Sequence, residues 1–269
     1  MSKFFPRGEV PPEQSPLYWV THKDRYLRQL LISDIEAETG RDLFVYFTDT
    51  DNSLATIDPG DDQYLYELLR TRKRDGVDLL LETPGGYTDT TEKLCAMLRS
   101  LAPDLRVIVP RRAKSNGTLM ALASKEIIMS STSELGPIDP SLQNIPAEFI
   151  LNDPASNPLL RQAAYTATLQ TTRLAKELLI TGMMKGVDEA TVDNTVSILS
   201  SRQRFHSHGS VVDVQEAKNL GLAVTHVSHD DLLWQKIWLL RSMYAYDAPR
   251  NGHVKIFEAS KISTAVAAK

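Results

Sequence analysis

Four short runs of β-prone apolar residues, LFVYF (43–47), DLLLET (78–83), LRVIVP (105–110) and EIIM (126–129), are separated by segments with helical spacing. This alternation narrows the possible architectures. Runs with little polar alternation must be covered on both faces, and strands joined by helical crossovers run parallel. An α/β fold with a mostly parallel sheet flanked by helices follows. YLYELLRTRKR and TDTTEKLCAMLRSLA supply the first two crossovers, the second opening on Thr and Asp residues suited to cap a helix. Upstream, Leu27, Leu30, Leu31 and Ile35 recur at helical intervals and the pattern stops at Gly40. Further helices are expected from Pro158 to about Met184, over DEATVDNTVSILSS and over DDLLWQKIWLLRSMY, with a short strand in LAVTHV.

Residues 21–248 read as one domain. Pro6, Pro11, Pro12 and Pro16 make residues 1–20 an extended arm, and residues 249–269, ending in SKISTAVAAK, read as a mobile tail. With 269 residues and 42% hydrophobic content, the chain can bury one substantial core. A net charge of -4 with both signs interspersed offers no basic stripe, which argues against nucleic acid as a partner. No apolar run approaches the ~20 residues that span a bilayer, and the start MSKFFPRGEVPPEQ lacks a signal-like apolar stretch. A cytoplasmic protein without membrane insertion is expected. The single Cys95 rules out a disulfide within the chain and falls on the inner face of a helical pattern, where a small apolar residue belongs.

Three stretches interrupt the apolar pattern. ETPGGY follows a strand, and its Gly85-Gly86 either makes a tight turn at positive φ or bares backbone amides that can hold an oxyanion. In AKSNGTLMALAS, Ser115 stands between a strand and a closely packing helix. It either caps that helix or projects its hydroxyl over the carboxyl ends of the strands, where open α/β sheets bind ligands. In SELGPIDP, Asp139 is the charged residue within a rigid Gly-Pro-rich loop, suited to an Asx-turn or to orienting a base.

The order strand, Pro-Gly-Gly, helix, strand, Ser-Asn-Gly, helix, strand, Gly-Pro-Ile-Asp-Pro is more specific than any of its parts. DLLLETPGGYTDTTEKL, VIVPRRAKSNGTLMALASKEIIMSSTSELGPIDP and HGSVVDVQEAKNLGLAV resemble the serine dehydrogenase proteinase family, over roughly residues 25–245. That family belongs to the superfamily of the Clp protease proteolytic subunit and the signal peptide peptidase A enzymes. The resemblance implies a Clp/crotonase-like fold of repeated ββα units, Ser115 as nucleophile, and an oxyanion hole from the amides of Gly85, Gly86 and Asn116. It also implies a peptide or protein substrate, a homo-oligomeric assembly, and no metal or organic cofactor. Two positions depart from the family pattern. Asn116 stands where a small residue is usual, and Glu82 stands where a His is expected, beside the site, where it would repel acidic substrates or raise a neighbouring histidine.

A serine hydroxyl needs a neighbour to take its proton. The Clp pattern has a His about 25 residues after the serine; here that region holds Asp139. The histidines come later, in FHSHGSVVDVQ, so acid and base look exchanged in order. Triads are defined by geometry and not by sequence order. Ser115, His208 and Asp139 are therefore the expected triad, with His206 in reserve. The Ser-Lys alternative of signal peptide peptidase A enzymes would use Lys176 or Lys114. His22, His226, His229 and His253 have no motif context. A serine peptidase acting through an acyl-enzyme is the leading reading, ahead of a catalytically silent oligomeric binding protein and a crotonase-type acyl-CoA enzyme.

Overall fold

The computed structural model describes residues 15–142 and 145–268. Helices α1 (Pro16–Thr21) and α2 (Lys23–Thr39) lead into β1 (Asp42–Thr48), followed by α3 (Asp61–Leu69), β2 (Gly76–Glu82), α4 (Thr88–Leu101), β3 (Asp104–Ile108), β4 (Arg112–Ala113) and α5 (Asn116–Leu122). Next come β5 (Glu126–Met129), β6 (Glu134–Leu135), β7 (Ser141–Leu142), β8 (Ile145–Pro146), α6 (Ala147–Asn152), α7 (Pro158–Thr181) and α8 (Glu189–Ser200). The chain continues with α9 (Val214–Asn219), β9 (Val224–His226), α10 (Leu232–Arg250), β10 (His253–Glu258) and β11 (Ser263–Ala267).

The main sheet has the order β11-β10-β1-β2-β3-β5-β9. Strands β1, β2, β3, β5 and β9 are parallel, while β10 and β11 add an antiparallel hairpin beside β1. Both faces are dry. Phe44 and Tyr46 of β1 join Leu65, Leu94, Leu98 and Leu178 on one side, whereas Val45 and Phe47 join Ile32, Ile35, Ile237 and Tyr244 on the other. This two-sided burial is why the strands read as continuous apolar runs. Strands β4 and β6 pair with each other in a small sheet of their own. β1 and β2 each feed a helix directly, so the ββα order expected throughout appears at β3–β4–α5 and is not a regular repeat.

Two expectations for the chain ends need correction. Residues 1–14 of the expected arm lie outside the described residues, but 16–21 are helical. Ser15 accepts a hydrogen bond from the Tyr18 N–H, and Pro16 occupies the first helical position, where a proline costs no hydrogen bond. The expected mobile tail is instead built into the sheet as β10 and β11. Its buried charges, Lys255 and Glu258, are each paired with partners far away in sequence. Lys255 is 2% exposed, and its Nζ reaches Asp58 at 2.8 Å and both Asp61 oxygens at 2.9 Å. Glu258 on the opposite face accepts from Arg28 Nε at 2.7 Å and from the Tyr244 hydroxyl at 2.6 Å.

Breaking a buried pair leaves an uncompensated charge, so Lys255→Ala should cost about 3–5 kcal/mol at neutral pH. Burial already raises Asp61 above its ordinary value, so the folded state binds this proton more tightly than the unfolded one. Stability then falls as pH rises through the raised value. Losing Lys255 extends that window upward. Urea unfolding should therefore show the loss of the variant shrinking as pH is lowered towards the titration of Asp61.

Candidate active site

All three singled-out stretches emerge at the carboxyl end of the parallel strands. Ser115 links β4 to α5 with φ 53° and ψ −120°, the one non-glycine residue at positive φ among the described residues. It occupies the N-cap position of α5 yet makes no side-chain capping bond. The reading of Ser115 as a helix cap is therefore not met. Its neighbours hold the corner. Lys114 N–H donates to Thr83 O at 3.0 Å, and Gly117 N–H donates to Lys114 O at 2.7 Å. The Thr118 hydroxyl lies 2.8 Å from Ala113 O and 2.9 Å from Gly136 O, and accepts the Gly136 N–H at 3.0 Å. A Cβ at Gly117 would sit 2.5 Å from Thr83 Cγ2, so α5 packs this closely only with glycine there.

The Gly85-Gly86 loop is clamped between Ile57 and Ser115. Gly85, at φ 103°, has room for no Cβ, which would stand 2.8 Å from Ser115 Cβ and 3.1 Å from Asn116 N. The Ile57 N–H donates to Gly85 O at 2.7 Å, and Tyr87 N–H donates back to Ile57 O at 2.9 Å. In a trans peptide the C=O and N–H point in opposite directions. The Gly85 carbonyl faces Ile57, so the Gly86 N–H faces away from it. The Gly85 N–H, expected as an oxyanion donor, is instead taken by Thr83 Oγ1 at 3.2 Å. The Gly86 and Asn116 N–H groups have no protein acceptor among the described residues. The Asn116 side chain donates to Gly86 O and lies 3.3 Å from Thr88 Oγ1, tying the two amide-bearing segments together.

Asp139 and His208, 69 residues apart, meet: His208 Nδ1 lies 2.9 Å from Asp139 Oδ1. The second oxygen of Asp139 accepts from Arg202 Nε at 2.5 Å. The acid is 3% exposed, while the His208 side chain is 39% exposed, so a buried carboxylate orients an accessible imidazole. The His208 loop is moored to the serine corner. Leu135 and Val212 exchange backbone bonds of 2.9 and 3.0 Å, and Lys114 Nζ reaches Ser210 O at 3.0 Å. Ser115 Oγ makes no hydrogen bond to His208 among the described residues. His206 is exposed and presents its carbonyl to Arg202.

Neither lysine fits the role of base. Burial pushes Lys114 below its ordinary value, as a base requires, but its ammonium is committed to Glu134 Oε2 (3.0 Å), Leu135 O (3.1 Å) and Ser210 O (3.0 Å). Lys176 on α7 pairs with Asp193 and Glu189 of α8, which hold it above its ordinary value and therefore protonated. Glu82 likewise departs from expectation. It is fully buried and gripped by Arg241 at 2.6 and 2.8 Å, so its charge is neutralised from α10 and not displayed to a substrate. The Cys95 thiol is buried and pushed up to about 12, as unreactive as the sequence suggests. Among the described residues, no group of His, Cys, Asp and Glu is arranged to hold a metal ion. Sequence reasoning missed Arg202, Thr118 and Ile57. Arg202, six positions before His208 in RQRFHSH, left a faint signal as a cation near the expected base. Ile57 left none.

The positive-φ corner has an energetic signature. Glycine adopts this backbone without strain, whereas a side chain costs on the order of 1–3 kcal/mol there. After glycine's larger unfolded-state entropy is subtracted, Ser115→Gly should unfold with about 1 kcal/mol more stability than Ser115→Ala in urea titrations. Equal stabilities would mean that the corner carries no strain.

A family model described as ClpP-like SDH-type serine proteinase matches residues 54–245. The uncharacterized protein MJ0137 of Methanocaldococcus jannaschii is 29% identical over 202 residues, covering 72% of this chain and 68% of that protein. MJ1495 of the same organism is 40% identical over 75 residues, 28% of this chain and 26% of that protein. Among solved structures, ClpP1 from Listeria monocytogenes aligns over 77% of this chain and 99% of its own, with 14% identity and a TM-score of 0.47. A peptidase from Plasmodium falciparum aligns over 74% and 98%, with 13% identity and a TM-score of 0.44. The family match spans most of the chain and includes the Gly-Gly loop, the Ser115 corner, Asp139 and His208. The chain belongs to the ClpP-like SDH-type serine proteinases, with the Clp/crotonase-like α/β fold and the hydrolytic, peptidase-like character of that family.

Proposed function

We propose that the protein is a serine peptidase in which Ser115 is the nucleophile, His208 the general base and Asp139 the orienting acid. One observation carries the reading: a serine held at positive φ, giving up its capping bond, beside an Asp139–His208 pair moored to the same corner. The His208 Nδ1–H donates to Asp139 Oδ1, which leaves Nε2 as the acceptor for the Ser115 proton. Ser115 Oγ attacks a peptide carbonyl, and the oxyanion that forms accepts hydrogen bonds from the Gly86 and Asn116 N–H groups. The imidazolium, stabilised by ionised Asp139, then protonates the leaving amine. The acyl-enzyme is resolved by water, with His208 again taking the proton. The reading requires His208 Nε2 to reach Ser115 Oγ, a hydrogen bond of the kind that often tightens only in the substrate complex.

In this reading the substrate is a peptide or protein. Assembly into a homo-oligomer is supported by outward apolar side chains, Leu159, Tyr165 and Leu169 on α7 and Leu232, Leu239 and Tyr246 on α10. A cytoplasmic location is part of the proposal. Among the described residues, no helix is long and apolar enough to cross a membrane.

Fluorophosphonate labelling is the direct test. The wild type should label at one site, Ser115→Ala should not label, and His208→Ala and Asp139→Asn should label more slowly by up to ~10⁴-fold. A folded wild type that resists the reagent would favour the silent binding protein. Labelling undiminished in His208→Ala would remove the histidine from the mechanism.

A further inference from the structure

The Ser115–His208–Asp139 reading assigns no role to Arg202. We propose that Arg202 is a positioning residue that fixes the Asp139 carboxylate and the His208-bearing loop as one unit and offsets the charge of the acid. The inference rests on the Ser115–His208–Asp139 reading for its catalytic meaning, though not for its geometry.

Arg202 follows the end of α8, and its side chain is only 9% exposed. Its Nε donates to Asp139 Oδ2, the oxygen that His208 does not use, at 2.5 Å. One of its Nη groups lies 3.3 Å from the His206 carbonyl, two residues before His208. The Arg202 backbone is fixed as well, its N–H donating to Glu148 Oε2 of α6 at 2.9 Å. With each oxygen committed to a different partner, the carboxylate cannot rotate without breaking a charge-assisted bond. The charged and titratable groups around the pair are Arg202, Glu148 on the far side of Arg202, His206, which faces solvent, and the Lys114–Glu134 pair, whose lysine holds Ser210 O of the same loop. Of these, Arg202 alone contacts the acid, where its positive charge disfavours a second positive charge on the adjacent imidazole.

The test follows the ring-proton NMR titration of His208, assigned by its loss in His208→Gln, alongside the pH dependence of fluorophosphonate labelling. Arg202→Gln keeps a donor but removes the charge, and should move the His208 midpoint up by about one pH unit. The acid limb of the labelling profile should move the same way. Arg202→Lys should restore both towards wild type, and thermal unfolding confirms that each variant is folded. A His208 midpoint that is unchanged or lowered in folded Arg202→Gln overturns the proposal. If the titration moves as expected but wild type does not label, the peptidase reading fails and the coupling stands. If wild type labels while the titration does not move, the reverse holds.

Discussion

The site depends on one backbone constraint: a residue bearing a Cβ must be held where only glycine rests comfortably. Ser115 is kept there from several directions. The Thr118 hydroxyl links Ala113 to Gly136, Lys114 anchors on Glu134, Leu135 and Ser210, and the Gly85 backbone packs against the serine itself. The same bonds place the other groups. The loop that Lys114 grips carries His208, and Gly136, which Thr118 touches, begins the loop of Asp139. Forcing the serine into its corner and assembling its partners are thus one packing problem. That is why glycines stand at 85, 117 and 136, where a side chain would collide with Ser115, Thr83 or Lys114.

Away from the site, buried charge sets alignment more than it adds stability. Lys255 and Phe257 of β10 face the α3 side of the sheet, where Asp61 waits, while Ile256 and Glu258 face α2 and α10, where Arg28 and Tyr244 wait. A one-residue slip of β10 against β1 would carry every one of these groups to the wrong face. Buried ion pairs are weak stabilisers, but a slipped register would bury the same charges unpaired. Glu82 and Arg241 do similar work between β2 and α10.

Much of this was readable from sequence where the signal is local. The apolar runs marked β1, β2, β3 and β5, Gly40 marked the end of α2, and the spacing of Gly85, Ser115 and Asp139 followed the strand ends. The pairing of Asp139 with His208 could be anticipated only from motif order, since 69 residues separate them. What escaped is non-local. HVKIFE carries charges on both faces and looks exposed until Asp61 and Arg28, found nearly 200 residues or more away, are brought to it. Glu82 looked like a substrate-facing charge for the same reason, its partner being 159 residues away. The engaged Gly85 amide turned on a single hydrogen bond from a loop to its own strand end.

The position of β10 also bears on the order in which the molecule can be completed. β10 lies beside β1, so the centre of the sheet keeps an open edge until residues 253–267 have been synthesised. Lys255 arrives with that strand and seizes Asp58, whose neighbour Ile57 clamps the Gly85-Gly86 loop. Long-range closures of this kind come late because their loop entropy must be met before any contact rewards it. The strand whose lysine holds Asp58, beside the residue that clamps this loop, is among the last to be made, and a nascent chain emerging from the ribosome carries its serine well before it carries that support.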